Sequence, residues 1–422
     1  MTKVYRKAIL LSSDAEQFRK TVLSQANRED YILFDHAQNT DSPFQWLIGW
    51  GKADTFIRSA KDPGLFSSLD QWLARHEDWR MGYLSYDLKN VIEPELESFN
   101  RDEIQADLVH LFVPEVVFLA RNNQVTAYLL EGTTLPEFTS RSEVLQPESA
   151  RFTPVLSRET YRHKISTLKD HILRGDVYEI NFCSEWKSGD PIENPAQLYA
   201  QLYQKLQAPF SGYFQLGDIQ LLCCSPERFL KKEGDRLISQ PIKGTAPRNK
   251  DPEIDQLNKA ALLTDKEKAE NVMIVDLVRN DFSRIARKGT VSVEELFGTY
   301  TFNQVHQLIS TVSCELDPAI RFSDILKATF PMGSMTGAPK ISAMKLSETY
   351  EPMKRGLYSG SIGYFTPDGG FDFNVVIRSI LHNAALNKTV IRAGSAITYA
   401  SDPDQEWQEC QWKITSLLEV FN

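Results

Sequence analysis

From Gln240 to Arg284 the chain reads QPIKGTAPR, then a polar connection, then TDKEKAENVMIVDLVRNDFSR, and this stretch restricts the fold more than any other. Thr264 and Glu267 have the spacing of a capping box, in which hydroxyl and carboxylate each bond an unpaired backbone N–H at a helix start. The spacing predicts a helix. Steps of three and four residues then gather Glu270, Met273, Ile274, Leu277, Val278 and Asp281 on one face, with Glu267 one step before them. Carboxylates on an apolar face cost several kcal/mol unless a cation or donors compensate them. The compensation could come from Lys243 in the preceding segment, from a divalent metal, or from ordinary pairing with arginines of the same helix.

The rest of the composition narrows the function classes. A chain of 422 residues, 42% hydrophobic and 24% charged, has room for a large core. Its net charge of -9 weighs against a general nucleic-acid surface, which needs a basic face. No segment approaches the roughly 18 apolar residues of a membrane span, and MTKVYRKAILLSSDAEQF holds too short an apolar run for a secretory signal. The expectation is a cytoplasmic protein that engages neither nucleic acid nor membrane. The cysteines, Cys183, Cys223, Cys224, Cys314 and Cys410, are odd in number and lack CxxC spacing, so they read as small core residues.

Residues 1–150 contain the short apolar runs YILF, FQWLIGW, LFVPEVVFLA and VTAYLL, broken by turn formers, and read as a β-rich region. Trp46, Trp50, Trp72 and Trp79 read as core, with an effector pocket as the alternative. The Pro-, Ser- and Thr-bearing stretch over about residues 133–154 places a boundary near Ala150, ahead of a second region, 151–422. That region opens with a helix carrying Tyr161, Ile165, Leu168 and Ile172 on one face, stopped by Gly175 and followed by the strand VYEINF. Long helices among antiparallel-looking strands favour an α+β layered fold over a βαβ series. The loop FPMGSMTGAPK could offer backbone N–H groups to an anion, but Gly333 and Gly337 are too close for a phosphate loop and no nucleotide is inferred.

Near the C-terminus Ser401 and Asp404 mark a helix start, and Trp407, Cys410, Ile414, Leu418 and Phe421 form its apolar stripe. Glu406, Glu409 and Lys413 share the adjoining edge. Together with Glu270 on another helix they offer hard oxygen ligands, a set that suits magnesium whose shell is completed by waters and an anionic substrate.

SPERFL, PIKGTAPR, AENVMIVDLVRND, HQLISTV, FPMGSMTGAPK, RGLYSGSIGY and AGSAITYASDPDQEWQE resemble, in the same order, the motifs of the chorismate-utilising enzymes over about residues 155–420. The resemblance implies an α+β layered fold with two large, mostly antiparallel β-sheets packed as a core and flanked by helices, as in anthranilate synthase component I. It also implies amination of chorismate. PIKGT resembles the aminodeoxychorismate synthase component I branch, which makes 4-amino-4-deoxychorismate for folate synthesis. Anthranilate synthases usually carry Ala at the position of Lys243 and are the alternative, ahead of a non-catalytic chorismate-binding homologue.

By the same resemblance Lys243 is a nucleophile and Glu227 the general acid. Magnesium would rest on Glu270 and Glu406, helped by Glu267 and Glu409. Arg378, Lys413 and the stretch Gly394, Ser395, Ala396 and Ile397 would hold the substrate with Tyr364 near its pyruvyl carboxylate, and His306 and Thr245 would contact the ring. Glu179 stands where aminating relatives usually carry Gln and isochorismate synthases Lys, which leaves the reception of ammonia open. A nucleophilic Lys243 needs desolvation or a cationic neighbour, such as Arg248 or the metal, to shed its proton at neutral pH. No cysteine lies in a glutaminase-like segment, so ammonia is expected from a separate glutamine amidotransferase subunit.

Overall fold

YILFD, Tyr31–Asp35, is buried at every position because its sheet is covered on both faces. Ile32 and Phe34 point into one hydrophobic cluster while Tyr31 and Leu33 point into another, the alternation that a pleated strand imposes. Leu221 and Cys223 against Leu222 and Cys224 repeat the pattern. A computed structural model describes residues 6–11, 14–25, 30–36, 41–59, 62–138 and 148–421. It shows two antiparallel sheets, one of 12 strands and one of 10, with the first cluster between them and the second between the larger sheet and its helices. The Tyr83 and Phe214 rings, one from each sheet, stack at 5.2 Å across that inner core. The expected α+β architecture with two large sheets and flanking helices is the one observed.

Strands of the first 150 residues continue both sheets. Tyr31–Asp35 pairs with Phe210–Leu216 in the larger one, and Arg80–Leu84 pairs with Ser361–Phe365 in the smaller. Trp46, Trp50 and Trp72 are buried core residues. The proposed connector lies partly outside the described residues, at 139–147.

The helix Arg158–Arg174 starts where the Ser157 hydroxyl accepts the Thr160 N–H at 3.1 Å, and it ends at Gly175 with φ of 84°. Tyr161, Ile165 and Leu168 press onto the larger sheet. The helix Asp265–Ser283 begins as the capping spacing predicts, with Thr264 accepting the Glu267 N–H. Its buried line is Asn271, Ile274, Val275, Val278, Asp281 and Phe282, so Glu270, Met273 and Leu277 fall at the margin. The two acids are compensated separately. Asp281 is buried against Lys340 Nζ at 2.6 Å, and burial pushes its carboxyl up despite that partner, whereas Glu270 reaches the cleft described below. No helix among the described residues is long and apolar enough to cross a membrane.

Candidate active site

The chain crosses from one sheet to the other at Pro226–Glu227, between the strands Ile219–Ser225 and Arg228–Glu233. It crosses back at residues 375–378, between Phe371–Asn374 and Ser379–Asn383. The two crossings are tied by Val375 N–H donating to the Glu227 carbonyl at 3.0 Å. Glu227 and Arg378, one from each crossing, line a cleft of about 490 Å³. Enclosure raises the energy of a charged carboxylate, and burial pushes Glu227 up to about 7 against the downward pull of the Ser334 hydroxyl and Lys243. Arg378 has no ion-pair partner among the described residues, and its guanidinium lies 5.2 Å from the centre of the Trp412 ring. Burial lowers its pKa against the opposing pull of Tyr358 and Glu409.

Lys243 enters from the strand Ile242–Pro247, whose register against Val305–Glu315 shifts between Ile242 and Thr245. Such a bulge re-aims a side chain. Gly244 makes it feasible: its φ is +85°, and a Cβ there would stand 2.8 Å from Glu267 Oε2. Lys243 is buried, with Nζ 2.5 Å from Glu179 Oε1. Burial pulls the lysine down, but Glu179, Glu270 and Glu227 pull it up and prevail. That corrects the expected source of activation, because Arg248 sits outside on Asp255, at 2.9 Å. The strand bearing Glu179 is approached closely by the glycine loop. Gly337 has φ of +147°, and a Cβ on it would lie 2.1 Å from the Glu179 carbonyl oxygen.

Four carboxylates besides Glu227 line the cleft among the described residues: Glu267 and Glu270 from one helix, and Glu406 and Glu409 from the helix Pro403–Leu418. Lys413 pairs with Glu409 at 2.5 Å and donates to the Gly394 carbonyl at 2.8 Å, so it ties the helix to the strand Lys388–Ile397 where that strand would face a substrate carboxylate. Ser395, Ala396 and Thr245 also line the cleft. The oxygen donors fit magnesium, which takes one or two carboxylates and keeps several waters. Among the described residues no three His, Cys, Asp or Glu groups stand close enough to hold an ion by themselves.

Three expected residues lie elsewhere. Tyr364 is buried in an aromatic cluster with Phe34, Phe44 and His36. His306 shares its strand with Gln307, and adjacent residues face opposite ways, so Gln307 lines the cleft while His306 turns to Asp255 and Thr301, each at 3.0 Å. Ile397 is fully buried in the core behind the larger sheet. The sequence reading passed over Asn181, Gln307, Ser334, Arg392 and Trp412, which all line the cleft. Strand alternation alone could have proposed Gln307 once Thr245, its register partner, was assigned.

Residues 27–419 match the family described as chorismate binding enzyme. Anthranilate synthase component 1 of Thermus thermophilus is 33% identical over 453 residues, covering 99% of this chain and 97% of that one. Aminodeoxychorismate synthase component 1 of Escherichia coli is 38% identical over 269 residues, and the chain spans only 58% of that relative. The crystal structure of anthranilate synthase component I from Streptococcus pneumoniae superposes with a TM-score of 0.77 over 91% of this chain and 93% of that one, at 23% identity, a likeness of fold. A family match over nearly the whole chain, on a cleft that gathers acids, a lysine and an arginine, places this protein among the chorismate binding enzymes.

Proposed function

We propose that this chain aminates chorismate and that Lys243 directs the nitrogen to C4. The observation that carries the reading is the Lys243 amine buried in the same cleft as Glu227, a carboxyl held near neutrality. Chorismate must lose its C4 hydroxyl, a poor leaving group unless protonated. The Lys243 ammonium first loses one proton to solvent. Nζ then adds at C2 as the ring double bond shifts, and Glu227 gives its proton to the departing hydroxyl, which leaves as water. Glu227 is re-protonated from solvent while the adduct nitrogen stands as a secondary ammonium. Ammonia then attacks C4 and expels the lysine. Arg378 and the Gly394–Ala396 backbone hold the second carboxylate, and Thr245 and Gln307 face the ring. The second reading is amination at C2, as in anthranilate synthase. The likeness to the Thermus thermophilus enzyme over the whole chain supports that reading more fully than the shorter match supports C4. Mass analysis of the product from chorismate, ammonia and magnesium decides: 4-amino-4-deoxychorismate supports the Lys243 reading, and anthranilate overturns it.

Glu270 and Glu406, with Glu267 and Glu409, would hold magnesium, which when bound draws electron density from the ring through the C1 carboxylate. Loss of a second-shell contact costs about 10-fold or more in metal affinity, and loss of a ligand costs at least as much. Glu270→Gln and Glu406→Gln are therefore expected to move the magnesium titration of activity up by about 10-fold or more. Full turnover in excess chelator would remove the metal from the proposal.

Ammonia is assigned to a separate glutamine amidotransferase subunit. All five cysteines are buried, and burial pushes the Cys183, Cys223, Cys224, Cys314 and Cys410 thiols upward, away from nucleophilic use. The pure chain is expected to turn over with ammonium salts and not with glutamine. Glutamate released from glutamine by the pure chain would contradict this.

A further inference from the structure

Glu179 is one of the most enclosed acids beside the cleft, 5% exposed, and only one of its oxygens is engaged. Oε1 binds the Lys243 ammonium, while Oε2 is buried with no hydrogen-bond partner among the described residues. A buried carboxylate half satisfied by a primary ammonium is costly, and a second N–H donor would relieve it. The strand Glu179–Ser188 holds it firmly: Glu179 pairs with Ala338 on one side, and Ile180, the next residue, pairs with Ile397 on the other. Two residues along, Asn181 lines the cleft. Glu179 thus meets the cleft through Lys243, from a strand paired on both sides.

We propose that Glu179 is the ammonium-binding residue of this site. The Lys243 ammonium occupies the place that a free ammonium ion takes once Nζ has turned to the substrate, so the resting ion pair is a template for the second substrate. Resting on the C4 reading above, the step runs as follows. Ammonium gives one proton to Glu179 and becomes ammonia. Its lone pair forms the C4–N bond, the C2–Nζ bond breaks with return of the ring double bond, and Nζ departs with the electron pair. Glu179 then returns the proton to Nζ, which restores the observed ion pair. A glutamine here could accept a hydrogen bond but could neither balance the cation nor take its proton.

The test compares the parent with Glu179→Gln and Glu179→Asp, using chorismate, magnesium and ammonium chloride across neutral to alkaline pH. Adduct mass on the peptide containing Lys243 is followed in parallel with ammonia withheld. For Glu179→Gln the KM for ammonium is expected to rise at least about 10-fold at neutral pH, with the ratio of variant to parental turnover at fixed ammonium climbing by up to about tenfold per pH unit as free ammonia increases, a ratio in which the Glu227 limb cancels. The Asp variant, which keeps the charge, should recover part of the parental ammonium KM, and adduct formation should stay within about threefold of the parent in both. An unchanged ammonium KM and pH profile would overturn the assignment. So would loss of the adduct together with turnover in Glu179→Gln, which would make Glu179 a positioning residue for Lys243. Absence of an adduct in the parent would sink the Lys243 reading instead, and the ammonium dependence would still report on Glu179.

Discussion

Lys243→Ala is expected to lower formation of 4-amino-4-deoxychorismate by at least about 100-fold, because it removes the group that splits one difficult displacement into two. The substitution has a second effect that must be separated from the first. Taking away Lys243 leaves the buried Glu179 carboxylate without its ion-pair partner, and a stranded buried charge is destabilising by about 3–5 kcal/mol. Pairing Lys243→Ala with Glu179→Gln removes the stranded charge. If the loss is chemical, the double variant melts near the parent and still fails to make the C4 product. Chorismate binding should survive, since Arg378 and the Gly394–Ala396 backbone are untouched. The residual activity expected is direct attack of ammonia at C2. With ammonia withheld, the parent should accumulate mass on the peptide containing Lys243 and the variant none. Parental yields of the C4 product from Lys243→Ala would end the nucleophile assignment.

The parts of this molecule that sequence reading recovered are those governed by local rules. Thr264 and Gly175 bound their helices as predicted, because caps and left-handed stops are decided within a few residues. The i+3, i+4 stripe on Asp265–Ser283 placed Ile274, Val278 and Asp281 correctly in the interior but lay about one residue off in phase elsewhere, which is why Glu270 turned out marginal and Asn271 buried. Sheet order was out of reach. The pairing of Tyr31–Asp35 with Phe210–Leu216 joins residues about 180 positions apart, and nothing in either apolar run names its partner.

The site shows the same division. Motif resemblance brought Lys243, Glu227, Arg378 and the four glutamates to one cleft, yet it also nominated His306, Tyr364 and Ile397, which face elsewhere. A motif preserves position along the chain, whereas the side of the strand is set by pleat and register. For the same reason the Glu179–Lys243 contact was invisible: its partners lie on strands of different sheets, 64 residues apart.

Glu227→Gln carries the other large effect, an expected fall in amination of on the order of 10²–10⁴-fold, the usual worth of a positioned general acid. The amide keeps the shape and can still donate a hydrogen bond, but it cannot surrender a proton to the C4 hydroxyl. Burial sets the pH sign. With its carboxyl pushed up to about 7, Glu227 is protonated and competent below that pH, and it loses the transferable proton as pH rises through it. Parental kcat/KM should therefore fall on the alkaline side of about 7, and in Glu227→Gln this limb should vanish into a low, flat profile. A bound dicarboxylate adds negative charge to the cleft and disfavours the ionised form further, so the limb in kcat should lie at higher pH than the limb in kcat/KM. The variant also separates acid from nucleophile. Addition of Lys243 at C2 needs departure of the hydroxyl, so Glu227→Gln should block the Lys243 adduct even though the lysine is present, while the chorismate KM changes only a few-fold. An adduct that forms at the parental rate in Glu227→Gln would mean that the hydroxyl leaves without this proton, and the raised carboxyl would then be a consequence of burial alone.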